Sequence, residues 1–200
     1  PGTQPYVARL AVNGALDGGW GAGGVSLLSP TDIGYSPEAM AWDPATGGVV
    51  LAHSAATVNG RPTGLARVTG AGLYDPDFGD AGFVDLSIYD EGTYLYDVKL
   101  QSDGKIVAVG RIDGNGAQLG GFFLARTLAD GTLDADFNLN GKLVRSYGNF
   151  DQFRTVAVQS GKITVAGSCA YMACIVRLNA DGSPDEDTLH AGLPVRAGEK

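Results

Sequence analysis

The sequence predicts an all-β chain, and three observations predict it: turn glycines at short intervals, apolar runs of strand length, and one pattern repeated along the chain. Glycine makes up 31 of 200 residues, about twice the usual share of roughly 7%. The glycines fall in dipeptides such as Asp103-Gly104 and Asp130-Gly131, which punctuate short strands and not long helices. Apolar residues make up 44% of the chain, enough for a buried core, which argues against wholesale disorder.

The repeat is the most informative feature. One segment occurs four times: ARLAVNGALDGGWGAGG from Ala8, ARVTGAGLYDPDFGDAG from Ala66, ARTLADGTLDADFNLNG from Ala125 and VRLNADGSPDEDTLHAG from Val176, at intervals of 58, 59 and 51 residues. A second segment occurs three times: AWDPATGGVVLAHS from Ala41, KLQSDGKIVAVGR from Lys99 and AVQSGKITVAGS from Ala157. Two independent segments in the same order at the same period define a tandem repeat.

Each period holds four strand-like stretches, which in the middle unit are 82–88, 93–101, 105–111 and 121–128. Ser102-Asp103-Gly104 reads as a tight hairpin turn, glycine supplying the positive φ. The next turn is 113–116 and the one before is 89–92. The stretch 130–141 is longer and lacks apolar alternation, so it reads as the crossing from one sheet to the next. The strands are apolar on both faces: Ile106, Val107, Ala108 and Val109 run together, as do Phe122, Phe123, Leu124 and Ala125. Such strands need cover on both sides, and four-stranded sheets stacked around an axis provide it. The predicted fold is therefore a β-propeller-like array of four-stranded blades, with a β-trefoil as the alternative. The chain reads as a single repeat domain over 1–200, with units of approximately 11–68, 69–127 and 128–178 and terminal strands at 5–10 and 190–196. Three blades do not ordinarily close a ring. The expectation is that a homo-oligomer, a companion chain or further sequence completes it.

A net charge of −8 and a pI near 4.6 make nucleic acid a poor partner, because the chain repels a phosphate backbone. No apolar run approaches the roughly 20 residues that span a bilayer as a helix. Cys169 and Cys174 are the only cysteines. On a β-hairpin their spacing can set the two side chains opposite each other, where a disulfide is feasible, two free thiols being the alternative. A disulfide implies an oxidising compartment, so the expected location is periplasmic, secreted or at the cell surface. Pro1 without a preceding Met is compatible with a processed chain. Zinc would need more ligands than these cysteines, and His53 and His190 are the only histidines.

The segments LNADGSPDEDTLHAG, LADGTLDADFNLNG and LQSDGKIVAVGR resemble the bacterial delta-sixty repeat. That family pairs a piece like R-L-N-x-D-G-x-L-D-x-x-F-G-x-x-G with one like Q-x-D-G-K-I-x-V-x-G. The resemblance covers nearly the whole chain. Trp20 stands where Phe78 and Phe137 stand later, Leu189 takes that place in the last copy, and the WDPATGG piece from Trp42 is degenerate. The resemblance implies a propeller-like fold in large secreted or surface proteins. It implies no established activity and no catalytic residues.

Three places invite a functional reading. Asp134, Asp136, Asn138 and Asn140, followed by Gly141, fit the opening of a calcium loop, in which alternate oxygens wrap a hard cation. The bidentate acid expected eleven residues after Asp136 is absent, that position being Tyr147. The competing reading is a structural turn whose Asp and Asn cap their own backbone. His53 replaces the glycine found at Gly110 and Gly167, and Ser54 follows it. Adjacent strand residues point to opposite faces, and no nucleophile elbow occurs, so a polar strand end competes with catalysis. Asp85, Asp90, Glu91 and Asp97 accompany Tyr89, Tyr94 and Tyr96, a combination of carboxylates and aromatic platforms suited to sugars. A solvated hairpin competes. The candidate ligand contacts are Asp90, Glu91, Tyr94, Tyr96, His53 and Trp42. The glycines from Asp17 to Gly24 read as turns, since no strand-to-helix context or lysine follows them.

The expected function is a non-catalytic binding or scaffolding module that recognises protein or glycan through loops, or assembles through its terminal strands. The expected cofactor is none, or calcium. The alternatives are a carbohydrate-active, glycoside hydrolase-like enzyme on a propeller scaffold and a structural fragment of a longer propeller.

Overall fold

A computed structural model describes residues 5–28, 36–54, 62–88, 92–114, 120–146 and 151–186. These residues form no α-helix. They form thirteen strands: β1 (Tyr6–Ala8), β2 (Val25–Leu27), β3 (Ser36–Asp43), β4 (Gly48–Ser54), β5 (Gly64–Val68), β6 (Phe83–Asp85), β7 (Thr93–Leu100), β8 (Ile106–Ile112), β9 (Gly121–Thr127), β10 (Lys142–Arg145), β11 (Gln152–Gln159), β12 (Lys162–Cys169) and β13 (Met172–Leu178).

The strands make antiparallel meanders. β3-β4-β5-β6 and β7-β8-β9-β10 are four-stranded sheets, β11-β12-β13 is three-stranded, and β1-β2 is a pair. The sheets stack face to face through three apolar layers, as the two-sided apolar strands require. Val49 and Leu51 face the β1-β2 pair, with Val7, Trp20 and Leu28. Val50 and Ala52, on the other face of β4, meet Leu95, Val98 and Ile106 of the next sheet. Val107 and Val109 in turn meet Phe153, Val156 and Ile163. This is a β-propeller-like array and not the alternative β-trefoil, since each sheet is separate and is covered by its neighbours.

The position of the crossing differs from the sequence expectation. The stretch 130–141 does not pass from sheet to sheet. It joins β9 to β10, which pair directly, Leu124 opposite Leu143, and 69–82 likewise joins β5 to β6. The step between sheets falls between Asp85 and Thr93. That short segment suffices: crossing from the outermost to the innermost strand is about 14 Å, three gaps of about 4.8 Å, and an extended residue spans about 3.3 Å. The sequence units are therefore offset by one strand from the sheets. The terminal strand expected at 190–196 lies outside the described residues.

The long 69–82 and 130–141 turns clasp consecutive sheets. Arg67 pairs with Asp75 at 2.7 Å, lies over the Phe78 ring at 4.5 Å and donates to the Ala129 carbonyl. Arg126 repeats this with Asp134, Phe137 and the Ala180 carbonyl, and Arg9 with Asp17, Trp20 and the Gly70 carbonyl. Backbone bonds from Gly21 to Ala71, Gly79 to Asp130 and Asn138 to Asp181 tie turn to turn. The repeated aspartate and aromatic residue are thus fixed by packing between sheets.

Candidate functional site

The β1-β2 pair corresponds to only the third and fourth strands of a complete sheet. β1 stands where β5 and β9 stand, each beginning the repeated Ala-Arg or Val-Ala-Arg segment, and in the complete sheets those strands pair on their inner side with a hairpin, β3-β4 or β7-β8. Among the described residues no strand pairs with the other edge of β1. Leu28 N–H donates to the Pro5 carbonyl and Arg9 N–H to the Gly24 carbonyl. The odd-numbered residues of β1 therefore address β2, while Tyr6 and Ala8 aim their backbone groups at the open edge.

The floor beside that edge is apolar. Register equates Met40 with Val98 and Val156, and Trp42 with Leu100 and Val158, because Ala39, Asp97 and Thr155 occupy one position, opposite Ala52, Val109 and Ala166. Val98 and Val156 are buried against the preceding sheet, and Leu100 and Val158 pack there too. Met40 is 61% and Trp42 55% exposed. An open cavity of about 350 Å³ lies here, lined among others by Tyr6, Ala8, Glu38, Met40 and Leu51. Trp42, a sequence candidate, lies two residues beyond Met40 on the same face of β3, outside the lining of that cavity.

The remaining candidates separate. Tyr94 and Tyr96 do come together, around Arg111, which lies over the Tyr94 ring at 4.3 Å and donates through Nε to the Tyr96 hydroxyl at 2.8 Å. Arg154 lies over the Tyr96 ring at 4.3 Å. The rings expected to serve as platforms thus carry guanidinium groups, and Arg111 and Arg154 were missed because nothing local in the sequence marks a contact between strands or between sheets. Asp90 and Glu91 lie outside the described residues. Asp85 stands on β6, the outermost strand of its sheet, and Asp97 on β7, the innermost of the next. Burial would raise the Asp97 pKa, but hydrogen bonds from Lys99, the Val156 N–H and the Thr155 hydroxyl hold it below the ordinary carboxylate value.

His53 is 1% exposed, and its ring nitrogens meet no hydrogen-bond partner among the described residues. Burial lowers its pKa from 6.5 to about 4, with the Leu65 backbone and the Asp85 charge pulling weakly the other way. Ser54 bolts two sheets together: its hydroxyl donates to the Leu95 carbonyl and accepts from the Leu95 N–H at 2.9 Å.

In the calcium-like segment, Asp134 is buried and paired with Arg126 at 2.7 Å and Lys105 at 2.9 Å. Burial would raise its pKa, but those cations and the Asp136 N–H hold it low. Asn138 donates to the Lys142 carbonyl, and Asn140 accepts from the Lys142 N–H. Among the described residues no three His, Cys, Asp or Glu side chains gather as metal ligands.

Cys169 and Cys174 form a disulfide with their Cα atoms 5.8 Å apart. They are diagonal across the hairpin, not directly opposite as the spacing suggested: Cys169 faces Met172, and Cys174 faces Gly167. Ala170 and Tyr171, with φ of 48° and 68°, make a two-residue turn of the type that suits a twisted hairpin.

A protein-family model described as "Domain of unknown function (DUF5122) beta-propeller" matches residues 101–137 and 159–187. The chain is built of β-propeller-type repeats. Both matched stretches begin at the turn before the second strand of a propeller sheet and run through the third strand into the aspartate-containing turn. No curated protein matches the chain.

Proposed function

We propose that this chain is a non-catalytic binding and scaffolding module, and that the open edge of β1 takes up a further β-hairpin by strand addition. The observation that carries this reading is the exposure of Met40, whose counterparts Val98 and Val156 are buried, and of Trp42, whose counterparts Leu100 and Val158 are half-buried against the preceding sheet. Unpaired backbone groups beside an apolar floor supply both parts of strand-addition recognition, hydrogen bonds for affinity and pockets for specificity. The added hairpin takes the place that β7-β8 takes beside β9.

The delta-sixty resemblance supports an assignment to a secreted or surface protein, and the Cys169–Cys174 disulfide supports an oxidising compartment. Among the described residues no helix is long and apolar enough to cross a membrane.

The test is a calorimetric titration of the chain with a synthetic peptide of its own residues 93–112, the hairpin that fills the equivalent place one sheet later. Saturable binding is expected, and Ala8→Pro should abolish it by removing an N–H from the open edge. An Ala8→Pro chain that binds the peptide undiminished would contradict the proposal.

A further inference from the structure

The innermost strand of each of the three larger sheets carries a β-bulge at one register: between Pro37 and Ala39 in β3, Leu95 and Asp97 in β7, and Phe153 and Thr155 in β11. The extra residues are Glu38, Tyr96 and Arg154. A bulge kinks its strand and re-aims one side chain. Here the backbone device recurs while the side chain it presents changes from acid to aromatic to base. Structural repetition fixes the position and leaves the chemistry variable, as expected of a recognition row.

Stacking of the sheets joins the last two members of the row, the Arg154 guanidinium lying over the Tyr96 ring. Arg111, bonded to the Tyr96 hydroxyl, is neutralised by Asp113. Arg154 is exposed and has no carboxylate partner among the described residues. Five of the seven described arginines, Arg9, Arg67, Arg111, Arg126 and Arg177, each hold an aspartate, and of the other two only Arg154 lies over an aromatic ring. An arginine held over an aromatic ring and left without an acid offers a planar donor fork matched to a carboxylate.

We infer that the Tyr96–Arg154 end of this row binds the carboxylate of an acidic sugar. Arg154 is the anion contact, and Tyr96 and Arg111 form the positioning pair. The net charge of −8 disfavours polyanions such as nucleic acid or a run of acidic side chains. A sugar acid brings one charge, and its hydroxyls suit the phenol oxygens of Tyr94 and Tyr96, whose rings carry the guanidinium groups. This site is separate from the open edge of β1 and does not depend on strand addition there.

The test titrates the full chain with a glucuronate-terminated disaccharide and with its neutral methyl ester, followed by calorimetry. The acid should bind, and the ester about tenfold more weakly or worse, as expected for losing one charge-assisted pair. Arg154→Gln should lose the acid by a similar factor. Arg145→Gln should keep it, Arg145 being exposed and, among the described residues, likewise without a carboxylate partner. If Arg154→Gln lacks the native melting transition, Arg154→Lys carries the test, since it keeps the charge but loses the flat fork and should bind about tenfold more weakly. Absence of binding by the acid, equal binding of the ester, or undiminished binding by the Arg154 variant that folds overturns the inference. Tighter binding of a tri-glutamate peptide than of the sugar overturns the choice of a sugar.

Discussion

Arg126 and Asp134 form an ion pair at 2.7 Å in which the side chains are only 4% and 3% exposed. The same pair in the first sheet of the array, Arg9 with Asp17, is 35% and 36% exposed. One sequence motif thus holds a buried clasp and a solvated one. Asp134→Asn leaves Arg126 and Lys105 short of a counter-charge and should cost about 3–5 kcal/mol. Asp17→Asn should cost less than about 1 kcal/mol. Urea unfolding of the two variants measures the difference, and equal losses would mean that burial does not set the strength of the clasp.

The disulfide closes a loop of sequence separation 5. Loop-closure entropy for so short a loop gives about 2 kcal/mol of stabilisation. Reduction, or replacement of both cysteines by serine, should lower the urea midpoint by a corresponding amount with no change in slope. Loss of the slope as well would indicate that the hairpin is required for the last sheet to fold.

His53 makes stability depend on pH. Its folded pKa, about 4, lies below the ordinary value of 6.5, so the unfolded chain takes up a proton first as pH falls. The contribution is fully present above pH 6.5 and is lost on acidification towards pH 4, in total about 3 kcal/mol. His53→Leu should remove this part of the slope and also relieve the unpaired ring nitrogens. A stability curve between pH 7 and pH 4 that is identical in the two chains would rule this out.

Gly110 lies opposite Leu95, beside the bulge of β7, where an added Cβ would stand 1.7 Å from the Tyr94 carbonyl oxygen. A Cβ added at Gly167 would overlap the Gln152 carbonyl oxygen in the same way. Gly110→Ala should destabilise the chain by about 1–3 kcal/mol or more through overpacking, whereas Gly161→Ala has open space around its Cβ and costs only what a φ of 75° imposes. Thermal melts that rank the two variants in the opposite order would show that the bulge can relax.

The fold was legible because Ile106 to Val109 and Phe122 to Ala125 are apolar on both faces, and only stacked sheets cover both. The sheet boundary was misplaced because the turn from Asp130 to Gly141 looks like a linker. Its polar residues are in fact spent on Arg126, on their own backbone and on the next turn. The candidate site was half legible. Trp42 and the tyrosines stood out by type, but the exposure of Trp42 follows from which strands flank it, and Arg154 reaches Tyr96 from another sheet. Neither relation leaves a local pattern.

The edge of β1 and the floor at Met40 and Trp42 are the proposed seat of an added β-hairpin. Trp20 is 3% exposed and Trp42 is 55% exposed, so Trp20→Phe leaves one reporter on the proposed surface. Acrylamide quenching of that variant should fall, with a blue shift in emission, as the peptide of residues 93–112 is added. Quenching that stays at the level of the free chain at saturating peptide would contradict strand addition at this surface.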